Sequence, residues 1–154
     1  MTNRFILSIL FLCFCCVRAN AQVTLEKKDA KWSLMVDGKP FAVKGVTFGY
    51  ENDVANYDTY FKDLQALGVN TIRTWATGEN TGKLLDAAEK YNIKIMVGIW
   101  MRHGRPGMED DDSFDYLTDK EGMETMYDYS IKVVEKYKDH PAVLTWGIGN
   151  EVYL

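Results

Sequence analysis

The chain has 154 residues, 18 basic and 22 acidic side chains and a formal net charge of −4, with 47% hydrophobic residues and three cysteines. That balance supports a packed globular domain and argues against nucleic acid or an anionic membrane surface as partner, since both select basic patches. Cys13, Cys15 and Cys16 all fall within residues 1–21, so the remainder holds neither a disulfide framework nor a cysteine metal site.

The first predicted element is a processing signal. Arg4 precedes an apolar stretch from Phe5 to Val17, and Ala19-Asn20-Ala21 has the small-x-small pattern of a cleavage site. The sequence therefore predicts a secreted or periplasmic protein with residues 1–21 removed. The apolar stretch is shorter than the ~20 residues of a spanning helix, so no stable membrane anchor is expected. Bulky Leu10-Phe11-Leu12 before Cys13 argues against a lipoprotein. Residues 1–21 carry two arginines and no acid, which leaves 133 residues with 16 basic and 22 acidic side chains, a net charge of −6.

Trp32–Val36 and Pro40–Val43 flank Asp37-Gly38-Lys39, the pattern of a β-hairpin with Gly38 at positive φ. Lys44–Gly49 reads as a buried strand. Tyr57, Tyr60, Phe61, Leu64 and Leu67 follow at helical spacing until Gly68 stops the helix. Asn70–Trp75 is a second strand, and Thr81–Tyr91 is a helix with Leu84, Leu85 and Ala88 inward, ended by Asn92. Lys94–Trp100 is a third strand of nearly continuous apolar character, which indicates cover on both faces and hence a parallel sheet. After a polar loop, Thr118-x-x-Glu121 has capping-box spacing and opens a helix carrying Met123, Met126, Tyr127, Ile131, Val134 and Tyr137. Pro141 ends that segment, and Ala142–Ile148 forms the fourth strand.

Four strands alternating with three helices fit a doubly wound α/β sheet or the first half of a (β/α)8 barrel. No Gly-x-Gly-x-x-Gly turn follows the first strand, which removes the main support for a dinucleotide fold and for a cofactor. A whole barrel needs ~250 residues. The expectation is therefore a hairpin followed by the N-terminal half of a barrel over residues 22–154, stopping after its fourth strand.

Barrel active sites are built at the C-terminal ends of the strands. Those ends supply Phe48 and Tyr50, Arg73 and Trp75, Trp100, Arg102 and His103, and finally Asn150 beside Glu151. Aromatic platforms with a carboxylate and an amide suit a sugar, whose C–H faces stack on rings while its hydroxyls need polar partners. Arg73 sits inside an apolar strand, where a lone guanidinium is costly, so a carboxylate partner is expected. Trp146, mid-strand, reads as core, and His140, before Pro141, as structural. Glu109-Asp110-Asp111-Asp112 with Asp115 lacks the Asp-x-Asp-x-Asp-Gly pattern of a calcium loop, so no metal is assigned.

Three stretches carry a family resemblance. Val36-Asp37-Gly38-Lys39-Pro40-Phe41-Ala42-Val43-Lys44-Gly45-Val46 resembles the opening hairpin and first strand of the catalytic barrels of glycoside hydrolase family 2. Leu67-Gly68-Val69-Asn70-Thr71-Ile72-Arg73 resembles their second strand. His140-Pro141-Ala142-Val143-x-x-Trp146-Gly147-Ile148-Gly149-Asn150-Glu151 resembles their fourth, where Trp-Ser-x-Gly-Asn-Glu is usual. The first two stretches are shared with related retaining families of the same clan, including family 5 cellulase-like barrels.

The resemblance implies a glycosidase acting on an oligo- or polysaccharide. Glu151 would be its general acid/base, Asn150 the partner of the sugar 2-hydroxyl, and Arg73 the residue that orients the nucleophile's carboxylate. Trp75, Trp100 and His103 are candidate sugar contacts. The nucleophile of such enzymes lies on the seventh strand and is expected outside these residues, so residues 22–154 alone are expected to be inactive. A non-catalytic carbohydrate-binding barrel, a transglycosidase of the same clan and a cofactor-using barrel enzyme remain as rivals. Oligomeric state leaves no signal in the sequence.

Overall fold

The computed structural model describes residues 23–104 and 114–152. The predicted leader, Arg105 and the acidic run 109–112 lie outside the described residues. Among the described residues no helix is long and apolar enough to cross a membrane.

The chain opens with two tight turns in succession. β1 (Val23–Lys28) pairs antiparallel with β2 (Lys31–Val36), which pairs in turn with β3 (Lys39–Pro40). Asp37 and Gly38 have φ of 51° and 72°, the left-handed pair of a type I′ turn. Asp29 and Ala30, at 49° and 63°, adopt the same left-handed sign between β1 and β2. No glycine marks that turn, which is why β1 escapes the sequence reading. The expected second arm, 40–43, shortens to Lys39–Pro40, although Phe41 N still donates to Leu34 O at 2.8 Å just beyond it.

β4 (Gly45–Thr47), β5 (Thr71–Arg73), β6 (Lys94–Ile99) and β7 (Val143–Ile148) form one parallel sheet in the order β4-β5-β6-β7. A doubly wound sheet reverses at a switch point, and this order has none. Successive right-handed crossovers then place the connecting helices on one face. That is the winding of a (β/α)8 barrel, of which these are four strands.

α1 (Tyr57–Ala66) and α2 (Thr81–Lys90) supply the cover. Phe61, Leu84, Leu85 and Ala88 pack with Ile72, Ile95 and Val97 in one buried cluster, against which Trp146 is half-buried. Side chains alternate along a strand, so Arg73, Met96 and Gly98 point to the opposite, concave face. Gly68 and Asn92, at φ of 74° and 54°, end the first two helices as their positions suggest. Leu67, by contrast, caps α1 and is 79% exposed.

α3 (Lys120–Tyr137) departs from the sequence reading in two ways. Its N-cap is Asp119, whose Oδ1 accepts from Gly122 N at 2.9 Å, rather than Thr118. Thr118 instead donates to Asp115 Oδ2 at 2.6 Å, within a turn where Asp115 Oδ1 also accepts from Leu117 N. The packed face is shifted as well. Val133 is buried while Tyr127 and Ile131 are exposed. Ser130 can join the packed side because its hydroxyl donates back to the Met126 carbonyl at 2.8 Å, leaving no unpaired polar group.

The hairpin lies under the N-terminal ends of the strands. There Val23, Leu25, Leu34, Val43, Met96 and Leu144 help to line an apolar concavity of about 600 Å3. It is at the opposite end from the candidate chemistry.

Candidate active site

The C-terminal end of β7 is shaped by backbone before side chains. Gly149 N donates to Ile99 O at 2.8 Å, which carries the ladder with β6 one residue beyond the strand. The chain then turns sharply, with Gly149 at φ 73° and Glu151 at φ 50°. A Cβ on Gly149 would lie 2.7 Å from Val152 Cγ2 and 3.2 Å from Met101 Cγ, so packing as well as φ demands glycine. Glu151 is a non-glycine residue held in the left-handed region, a conformation that costs of order 1 kcal/mol and concentrates at functional sites. It is exposed, with Asn150 half-buried beside it.

Arg73 reaches Asn150 from β5. Its Nη2 donates to Asn150 Oδ1 at 2.8 Å, and its guanidinium lies 4.3 Å from the centre of the Trp75 ring. The partner provided here is thus an amide oxygen and an indole face, where the sequence suggested a carboxylate. Both satisfy a half-buried guanidinium, one by hydrogen bonding and the other by the ring quadrupole. With its oxygen held, Asn150 has its NH2 oriented and available to donate.

Trp75 owes its position to Gly98. A Cβ there would fall 2.3 Å from Thr74 O and 2.6 Å from Trp75 C, so the end of β5 passes directly over a bare backbone. Gly98 N also donates to the buried Thr74 Oγ1 at 3.0 Å. Thr74 and Gly98 were not picked out by the sequence reading, although a glycine inside an apolar strand is a signal of close backbone approach.

After β6, Trp100 and His103 stack with ring centres 5.1 Å apart. His103 is 1% exposed, so it backs Trp100 from beneath rather than standing in solvent. Its carbonyl accepts from Phe114 N at 3.1 Å, the Tyr116 hydroxyl donates to the Arg102 carbonyl, and the Arg102 guanidinium lies 4.8 Å over the Phe114 ring. After β4, Phe48 is buried among aromatic rings, and Tyr50 stacks on Tyr60 at 5.0 Å. Tyr60 donates to Asp53 Oδ2 at 2.6 Å. That hydrogen bond, followed by the one from Asn56, holds the Asp53 carboxyl below its usual range and raises the Tyr60 phenol.

The structure therefore brings Arg73 into contact with both Trp75 and Asn150 and pairs Trp100 with His103. Glu151 stands at the exit of the same strand as Asn150. Between the loops after β4 and β5 lies a groove of about 300 Å3, lined by Glu51, Asn52, Trp75, Thr77 and Asn80 among others.

Among the described residues, one side-chain cluster has metal-ligand composition. Asp86 and Glu89 of α2 approach His140, whose Nε2 lies 3.3 Å from Asp86 Oδ1. His140 Nδ1 accepts from Ala142 N at 3.2 Å, so in the neutral ring Nε2 carries the proton and has no lone pair for a metal. The histidine braces the turn before β7, which is the structural role its sequence position suggests.

Residues 27–154 match the family described as glycosyl hydrolases family 2, TIM barrel domain. The chain is 30% identical to mannan endo-1,4-beta-mannosidase F of Aspergillus clavatus, over 68% of this chain and 27% of that protein. It is 32% identical to a probable mannan endo-1,4-beta-mannosidase A-1 of Aspergillus terreus, over 60% of this chain and 26% of that one. It thus spans about a quarter of the length of these curated relatives. Among solved structures, the endo-1,4-beta-mannanase of Rhizomucor miehei superposes with a TM-score of 0.63 at 20% identity, covering 86% of this chain and 48% of that one. A beta-D-glucuronidase of Dictyoglomus thermophilum gives 0.60 at 22% identity, covering 86% and 23%.

Proposed function

The chain belongs to the glycosyl hydrolase family 2 TIM-barrel domain family, and from that premise we propose that the protein is an exported retaining glycosidase in which Glu151 is the general acid/base. The observation that carries the reading is the Arg73–Asn150 hydrogen bond of 2.8 Å, which fixes an amide beside a strand-end carboxylate.

A glycosidic oxygen is a poor leaving group. Glu151 donates a proton to it as positive charge develops on the sugar, while a nucleophilic carboxylate on a later strand attacks the anomeric carbon. Glu151 then takes a proton from water, which releases the sugar with retained configuration. Asn150 donates from its oriented NH2 to the 2-hydroxyl, a contact that strengthens in the transition state. Arg73 holds that amide and presents positive charge toward the nucleophile's carboxylate. Trp75 and Trp100 offer rings for stacking, the second backed by His103.

Mannan is the substrate named for both curated fungal relatives, and we take a β-1,4-linked mannan as the first substrate to test. Incubating the full-length protein with mannopentaose and following the anomeric protons by NMR tests the reading. β-Anomer as the first product supports retention, whereas α-anomer first or no cleavage of any glycoside removes it. Longer products would favour transglycosylation. N-terminal sequencing of the exported protein tests the leader, with Gln22 as the expected first residue.

A further inference from the structure

Glu151 is exposed and left-handed, so the place of its carboxylate is set by its backbone. A non-glycine residue persists at a φ of 50° where its surroundings over-determine it. Part of that constraint is local, since Gly149 N donates to Ile99 O at 2.8 Å and Val152 Cγ2 closes on Gly149. A second contact comes from a different strand end. Met101, two residues beyond β6, stands so that a Cβ on Gly149 would lie 3.2 Å from its Cγ and 3.3 Å from its Cβ.

Met101 is itself firmly seated. Arg102, which follows it, donates its N–H to Met126 Sδ of α3 at 3.4 Å, and its carbonyl accepts from the Tyr116 hydroxyl. Trp100, which precedes it, stacks on buried His103 at 5.1 Å. Both neighbours of Met101 are thus tied to other groups, and its side chain meets the Gly149 turn from a fixed base. An unbranched thioether suits the place, because its three rotatable bonds let it fill irregular space beside a bare Cα.

Asn150 has a separate hold through Arg73. Glu151 follows the turn directly. We infer that Met101 is a positioning residue for the general acid/base: it keeps residues 149–151 in their turn and so fixes where the Glu151 carboxylate stands relative to the glycosidic oxygen. This rests on the glycosidase reading. The role has a kinetic signature. A displaced acid slows the departure of a leaving group that needs its proton and barely affects a good one. Loss of packing alone lowers both.

The test compares Met101→Ala and Met101→Leu in the full-length protein on mannopentaose and on dinitrophenyl β-mannoside. Alanine removes Cγ and everything beyond it, whereas leucine keeps a Cγ and nearly the same volume. For Met101→Ala the expected kcat/KM on mannopentaose is about thirtyfold lower, carried by kcat, against a loss of less than about threefold on the aryl mannoside. Met101→Leu should bring mannopentaose cleavage back to within about threefold of native. Equal losses on both substrates, or native activity of Met101→Ala on mannopentaose, overturn the inference. Should Met101→Ala not fold, Met101→Val takes its place with the same split expected. If the native protein cleaves neither substrate, the glycosidase reading falls, and the heteronuclear amide NOE of Asn150 and Glu151 decides the positioning by itself. A drop in Met101→Ala that recovers in Met101→Leu keeps Met101 as the residue that holds Glu151, and an unchanged NOE removes it.

Discussion

Arg73 and Asn150, 77 residues apart in the chain, meet through one 2.8 Å hydrogen bond at the C-terminal edge of the sheet. The contact requires β5 and β7 to end at the same level with β6 between them, so it depends on the register of all three strands.

Breaking that contact leaves the Asn150 amide unaligned. Arg73→Met keeps the packing length of the side chain and removes the donor. It is expected to lower kcat/KM of the full-length protein by roughly a hundredfold, the scale of a small misplacement at a reacting centre. Circular dichroism of the variant should overlay the native spectrum, and activity within a few-fold of native would separate Arg73 from the site.

Gly98→Ala tests the backbone approach beneath Trp75. The added methyl would meet Thr74 O at 2.3 Å, so strand and loop must part. Overpacking of this kind costs about 1–3 kcal/mol. Urea denaturation should show that loss, and Trp75 fluorescence should shift with it.

The N-cap assignment separates two adjacent residues. Asp119→Ala removes the acceptor for Gly122 N and should cost about 1 kcal/mol in denaturant unfolding. Thr118→Val removes the hydroxyl to Asp115 without touching the cap and should cost less. Equal losses would return the cap to Thr118.

Acid and alkali act on Asp53 and Tyr60 in opposite directions. The Asp53 carboxyl is held below its unfolded value by the Tyr60 and then the Asn56 hydrogen bonds, so its contribution is present above about pH 4 and is lost as pH falls through the folded value. The Tyr60 phenol is raised by Asp53, so its contribution is present below about pH 10 and is lost as pH rises through the folded value. Asp58, lowered by its hydrogen bond from Lys90, and Asp115, lowered by Thr118 and then Leu117, share the acid arm. Asp53→Asn should flatten the melting temperature against pH at both ends, and an unchanged profile would remove the pair from the account.

Much of this architecture is legible in the sequence because apolar periodicity and turn residues coincide. The runs ending at Trp75, Trp100 and Ile148, punctuated by Gly68 and Asn92, give the strands and helices in order. Gly-Asn-Glu after an apolar run locates the carboxylate. Three features are not legible, each for a physical reason. β1 hides behind a turn of Asp29 and Ala30, whose positive φ no glycine announces. The packed face of α3 is masked by Ser130, which pairs with its own helix and so sits half-buried among apolar neighbours in sequence. The amide partner of Arg73 follows from strand register, which no local pattern encodes. The strand order β4-β5-β6-β7 agrees with the half barrel that the sequence suggests over a doubly wound sheet.

The most direct test of the central claim is the leaving-group dependence of Glu151→Gln in the full-length protein. A general acid matters for a poor leaving group and little for a good one, since a dinitrophenolate departs without protonation. The account predicts a loss of about 10²–10⁴-fold in kcat/KM on mannopentaose and a far smaller loss on dinitrophenyl β-mannoside. Equal losses on the two substrates, or native activity on mannopentaose, would contradict Glu151 as the acid.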